Sequence, residues 1–174
     1  MTDLAIIRDE ILRSLQQLGI AENIQLFHFG SDTGGNDCDD YILSVDGKWQ
    51  LIHVERGQKR LVFESSDMND FVYHIIEQQA WSKAYQLCDE SADAKLNQDV
   101  DKRRCWHQHQ RRLLTELNPE WGQRFGKQLD ITLKNKPYDD DKNKRLALLQ
   151  QLELEGHDYH QAKQMSYQKY PKPG

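Results

Sequence analysis

Two dipeptides, Asp46-Gly47 and Arg56-Gly57, constrain this chain more than any other feature. Each falls between β-rich runs, at about 41–45, 48–55 and 58–63. Two-residue hairpin turns favour such pairs because their central positions take positive φ, which glycine tolerates. Three runs joined by two tight turns read as an antiparallel meander. Ile24-Gln25-Leu26-Phe27-His28-Phe29 adds a fourth candidate strand, ahead of the polar loop SDTGGNDCDD.

On both sides of these strands the apolar period becomes that of a helix. Leu4, Ile7, Ile11, Leu15 and Leu18 form one stripe on a helix that Gly19 ends. Ser65-Ser66-Asp67 supplies cap chemistry for a helix reaching about Asp89, with Phe71, Ile75, Ala80, Ala84 and Leu87 at helical spacing. Further helices are expected over 99–117, from Pro119 behind the Asn118 cap to the break at Pro137, and from Asp139-Asp140-Asp141 to Gly156. A last short helix ends near Gln168, and Pro171 and Pro173 predict a frayed tail. The fold class is therefore α+β: an N-terminal helix and a small antiparallel sheet of about four strands, covered by a C-terminal bundle of four to five helices. One domain over 1–174 is expected, divisible at most into a helix-and-sheet part, 1–65, and a helical part, 66–170.

Charge divides the chain more sharply than composition does. Residues 1–100 hold 8 Lys+Arg against 18 Asp+Glu, net −10, while residues 101–174 hold 15 against 10, net +5. An acidic part of this size disfavours nucleic acid and points to a basic protein partner. No apolar run approaches the roughly 18 residues of a spanning helix, and MTDLAIIRDE places charges where a signal peptide has its apolar stretch. A cytoplasmic protein without membrane contact is expected. Three cysteines, Cys38, Cys88 and Cys105, make an odd count without CxxC spacing, so they read as reduced, mostly buried thiols and not as a disulfide framework or zinc site.

GxSxG, Walker, GxGxxG, HExxH and CxxC motifs are all missing. No catalytic residue, cofactor or metal is expected, and the chain does not read as an enzyme. His107 and His109 are two apart on a helix, diverge by about 200° and read as surface residues. His157 and His160 have the i, i+3 spacing for a shared ion beside Asp158, but such pairs are far more often merely solvated. The stretch containing Asp32, Asp37, Asp39 and Asp40 lacks the ligand order of a calcium loop. It reads as a solvated loop, or as carboxylates that meet the cations of a nuclease groove in place of phosphate. Two competing readings remain open. One is a small hydrolase using scattered histidines (His28, His53, His74, His107, His109) and aspartates; the other is a nucleic-acid regulator using the basic helix 102–112, where Trp106 sits between Lys102-Arg103-Arg104 and Arg111-Arg112.

Several segments in order carry a resemblance. Gly47-Lys48-Trp49 leads to Val54-Glu55-Arg56-Gly57, then Phe71-Val72-Tyr73, Ala84, Asp101-Lys102-Arg103-Arg104, Trp121, and Lys136-Pro137-Tyr138-Asp139-Asp140. Over about residues 40–141 the chain resembles the immunity protein 63 family of bacterial polymorphic-toxin systems. The resemblance implies a cytoplasmic antidote, without activity or cofactor, that binds the toxic domain of a secreted or contact-delivered effector, as in contact-dependent growth inhibition. A 1:1 complex with the toxin domain is expected, and the acidic part of the chain is what points to a basic toxin, a nuclease. Arg56, Gly57, Tyr73, Asp101, Arg103, Arg104, Trp121, Pro137, Tyr138 and Asp139 are expected to hold the fold. Toxin contact is expected instead at Asp32, Asp37, Asp39, Asp40, Asp46 and Glu55, because partners are discriminated by exposed positions.

Overall fold

The computed structural model describes residues 3–20, 26–30, 38–90 and 100–174. Its elements run α1 (Asp3–Gln17), β1 (His28–Phe29), β2 (Cys38–Val45), β3 (Lys48–Glu55), β4 (Gln58–Ser65), α2 (Met68–Glu90), α3 (Arg103–Leu117), α4 (Pro119–Asn135), α5 (Lys142–Leu154) and α6 (Tyr159–Lys169). The fold is α+β, with the N-terminal helix in place. None of the described helices is long and apolar enough to cross a membrane. The chain divides into two compact units, residues 1–80 and 81–174.

In the first unit the strands pair in the order β1-β2-β3-β4. Both turn dipeptides take positive φ at both positions: Asp46 50° and Gly47 75°, Arg56 51° and Gly57 74°. Those are the backbone signs of mirror-image hairpin turns, whose twist matches that of the strands they join. Two expectations need correction. β1 pairs with β2 in parallel, His28 with Tyr41 and Phe29 with Ile42, so the sheet is mixed. The turn chemistry that sets the sense of β2, β3 and β4 has no counterpart before β2. Strand β2 also starts at Cys38, three residues inside the expected loop, because Cys38, Asp39 and Asp40 pair with Glu55, Val54 and His53 of β3.

Alternation along the strands puts Ile42, Leu51 and Phe63 on one face, and α2 covers it. The Phe71 ring lies 6.1 Å from Phe63 and 6.5 Å from Trp49, while His74 stacks on Phe63 at 4.0 Å. Ile42, Leu51, Phe71, Tyr73, Ile75 and Ile76 are buried there, each such side chain contributing roughly 1.5–3 kcal/mol. Helix α1 lies against β2 and buries its stripe of Ile7, Ile11 and Leu15. Asp67 caps α2 by accepting from the Asp70 amide at 2.7 Å.

In the second unit α3 packs on α4, and α5 on α6. Asn118 accepts from the Glu120 amide at 2.9 Å and Pro119 opens α4, so the expected cap and start are both present. Helix α3 begins at Arg103, later than expected, because the Asp101 carboxylate takes the Arg103 amide at 3.0 Å and holds that residue in a turn. Leu113, Leu114, Trp121 and Phe125 form the buried seam between α3 and α4. Gly122 sits in that seam, where a Cβ would fall 1.9 Å from Thr115 Oγ1 and 3.0 Å from its Cα. Gly122→Ala is expected to destabilise the protein by about 1–3 kcal/mol through overpacking, read as a lower urea midpoint at unchanged m-value.

The cysteine expectation is also corrected. Cys88, in the last turns of α2, is bonded to Cys105, in the first turn of α3, with Cα atoms 6.1 Å apart. Rules built on count and local spacing do not see a pair that two helices bring together from 17 residues apart.

Candidate functional site

Among the described residues, the face of the sheet opposite α2 carries the partly exposed apolar side chains of β3 and β4. Register and alternation place four rows across it: Asp39, Val54 and Lys59; Tyr41, Ile52 and Leu61; Leu43, Gln50 and Glu64; Val45 and Lys48. Leu61 is 49% exposed and Val45 40%, while Leu43, Ile52 and Val54 are half-buried and Tyr41 is buried, so the exposed strip lies towards β3, β4 and the β2–β3 turn. Charge closes both ends of this apolar strip. At one, Lys48 Nζ donates to Glu64 Oε1 at 2.9 Å and Gln50 Nε2 to Glu64 Oε2 at 3.3 Å. The Lys48 hydrogen bond, then that of Gln50, holds the Glu64 carboxyl below its ordinary pKa. At the other, Asp39 Oδ2 lies 3.3 Å from His28 Nε2, whose ring stacks on Tyr41 at 4.9 Å. An apolar centre with a charged rim is the anatomy of a protein interface.

The acids expected to contact a partner do not form one cluster. Asp32 and Asp37 lie outside the described residues. Asp39 belongs to the face opposite α2, whereas Asp40 lies on the α2 side with its Oδ1 2.7 Å from His53 Nδ1. Asp46 is exposed in the β2–β3 turn and Glu55 at the far end of β3, roughly 23 Å away by strand rise. Sequence reasoning passed over the apolar strip itself. Its signal was present, since Leu43 and Val45 on β2 and Ile52 and Val54 on β3 keep both faces of these strands apolar.

In the second unit a network ties α3 to the segment before α5. Asp101 receives Arg103 Nε at 3.1 and 3.0 Å and Nη2 at 2.6 Å, along with the Asp139 amide at 2.8 Å. Arg103 also donates to the carbonyls of Lys136 and Pro137. Arg104 makes a two-pronged pair with Asp140, at 2.8 and 2.7 Å, and lies 4.3 Å above the Tyr138 ring. Burial pushes Asp101 towards protonation, but Arg103 and the two amides outweigh it and hold the carboxyl at about 2. Asp140, held by Arg104 and the Asp101 amide, is likewise near 2. The network also includes Arg145, whose Nη2 donates to Asp139 Oδ2 and whose Nη1 donates to the carbonyls of Tyr170 and Pro171, at 3.1 Å each. The tail read as frayed is therefore anchored as far as Pro171. His107, read as a surface residue, is half-buried with Nδ1 2.8 Å from Tyr138 Oη; burial, then Arg103, lowers its pKa. Cations paired this closely build structure and present little charge to a nucleic acid. Trp81 and Tyr85, 47% and 42% exposed, meet Trp106 through the Tyr85 ring at 5.1 Å and form a second exposed apolar patch.

Neither surface groups a nucleophile with a base, and both have the makings of contact surfaces. Residues 46–131 match the model of the Imm63 family, immunity protein 63. The match spans 86 of the 174 residues and supports the resemblance to that family. No curated protein and no solved structure matches it. The matched stretch runs from the β2–β3 turn through β3, β4, α2 and α3 into α4. It contains Arg56, Gly57, Tyr73, Asp101, Arg103, Arg104 and Trp121, and leaves Pro137, Tyr138 and Asp139 outside although they close the same network. Tyr73 and Trp121 are buried. The match to that family supports an immunity protein whose partner is a toxin protein.

Proposed function

We propose that this chain is an immunity protein that neutralises a basic toxin domain, a nuclease, by laying the exposed face of its sheet over the toxin's substrate groove in a 1:1 complex inside the cell. The observation that carries this reading is the combination of an exposed apolar strip with an acidic unit. Residues 1–80 hold 6 Lys+Arg against 14 Asp+Glu, net −8. A nuclease groove is lined with cations for phosphate, so an acidic unit is drawn to it and raises the association rate. The apolar strip then supplies the contact that outlasts the encounter, within an interface on the order of 1,200–2,000 Å².

The experiment is co-expression with the toxin domain encoded beside this chain. Survival of the cells, co-purification in equal amounts and loss of nuclease activity in the purified complex are the expected results. Cell death despite full expression, with no complex on a sizing column, would end the reading. Binding that survives changes at Leu61 but is abolished by Trp81→Ala would move the contact to the aromatic patch.

A further inference from the structure

Cys88, Cys105 and His109 each offer one ligand atom, and the three atoms lie within 4.8 Å of one another. We infer that this cluster is a redox-gated zinc site, bridged by the disulfide when oxidised and able to take Zn²⁺ when reduced. The helical geometry supports it independently of the cross-link. Cys105 and His109 are i and i+4 on α3, so they share one helix face, and α2 brings the buried Cys88 up to that face. A zinc ion bound at about 2.3 Å by sulfur and about 2.0–2.1 Å by imidazole holds its tetrahedral ligands roughly 3.6–3.8 Å apart. The three atoms already lie within 4.8 Å of one another, so what the site requires on reduction is that the two sulfurs separate from bonding distance to the spacing of zinc ligands. Two thiolates and an imidazole are soft donors that suit zinc, and the fourth position is left to solvent.

The two states exclude each other, because a sulfur committed to a disulfide is no longer a thiolate donor. The exchange balances with a thiol reductant: two RSH reduce the Cys88–Cys105 bond, giving two protein thiols and one RSSR. Zn²⁺ then binds the pair and neutral His109 with release of two protons. Either way α2 stays tied to α3 one helical turn from the Tyr85–Trp106 contact. A reducing compartment, which opens disulfides, would then exchange one tie for the other. This inference does not depend on the toxin-binding reading.

The test uses the full chain, reduced with a phosphine, desalted under argon and titrated with Co²⁺ as a spectroscopic probe, then with Zn²⁺. One equivalent of cobalt should give thiolate-to-metal charge-transfer absorption and intense tetrahedral visible bands, which one equivalent of zinc bleaches. Cys38→Ser should behave as the parent and Cys105→Ser should lose the charge-transfer band. His109→Gln, checked as folded by circular dichroism, should bind at least tenfold more weakly. Oxidised protein should bind none. A reduced parent without the band, an oxidised protein that binds equally well, or a folded His109→Gln that binds as tightly as the parent would each overturn the site. Should Cys105→Ser fail to fold, the His109→Gln arm decides.

Discussion

Asp139→Ala is expected to destabilise the protein by about 3–5 kcal/mol, the largest effect of any single change outside the apolar core. The reason lies in Arg145, which is 4% exposed and has Asp139 as its carboxylate. Carbonyls of Tyr170 and Pro171 remain after the change, but they are dipoles and leave a buried positive charge uncompensated. The Asp139 amide also anchors Asp101, though as a backbone group it survives the substitution. A urea midpoint followed by tryptophan fluorescence measures the loss. A change below about 1 kcal/mol would mean that Arg145 finds water or another partner.

The same network sets the acid limit. Asp101 and Asp140 both sit near 2 when folded against an ordinary 3.8. As pH falls through 4 the unfolded chain takes up these protons before the folded one, so stability present above pH 4 is lost between about pH 4 and 2. His107, with its pKa below the ordinary 6.5, adds a smaller loss of the same sign that begins below pH 6.5. Midpoints measured across this range should fall most steeply below pH 4, and Asp140→Asn should flatten that fall.

Leu61→Arg is expected to weaken toxin binding at least 100-fold, about 2.7 kcal/mol, and to leave the thermal midpoint within a degree or two of the parent. Leu61 stands beside Ile52 on the edge strand β4, with half of it facing solvent, so the fold gains little from it. A cation placed there must be desolvated against a basic groove, which adds repulsion to lost apolar contact. Asp46→Asn and Glu55→Gln, at opposite ends of β3, should each cost no more than about threefold, as rim charges do. Calorimetry with the purified toxin domain compares the three, and an undiminished affinity for Leu61→Arg would place the interface elsewhere.

What the sequence made legible was local. Asp46-Gly47 and Arg56-Gly57 set two hairpins and with them the register of three strands, and Asn118-Pro119 set the start of α4, because each signal acts over a few bonds. Asp39 and Asp40 read as loop residues since nothing nearby in sequence announces His28 and His53, the groups that let carboxylates sit in a strand. Cys88 and Cys105 were misread for the same reason. Asp101, Arg103, Arg104, Tyr138 and Asp139 stood out as a group through the ordered resemblance. Arg145 did not, because a helical arginine normally faces water and its carbonyl partners lie in a proline-bearing tail. The exposed strip was hidden by a different cause: alternation shows that both faces are apolar, but not which one α2 packs against.

Strand β4 is the last in the sheet, and its register slips between Leu51 and Ile52, leaving Val62 as an extra residue. Lys59, Arg60 and Glu64 flank that irregularity on an exposed strand. A broken, charged edge is a poor template for a further strand, so two copies of this chain gain little by pairing there. On the proposed function, an antidote waits for its toxin with an apolar strip exposed, and an edge that does not template further strands would leave that strip to the toxin.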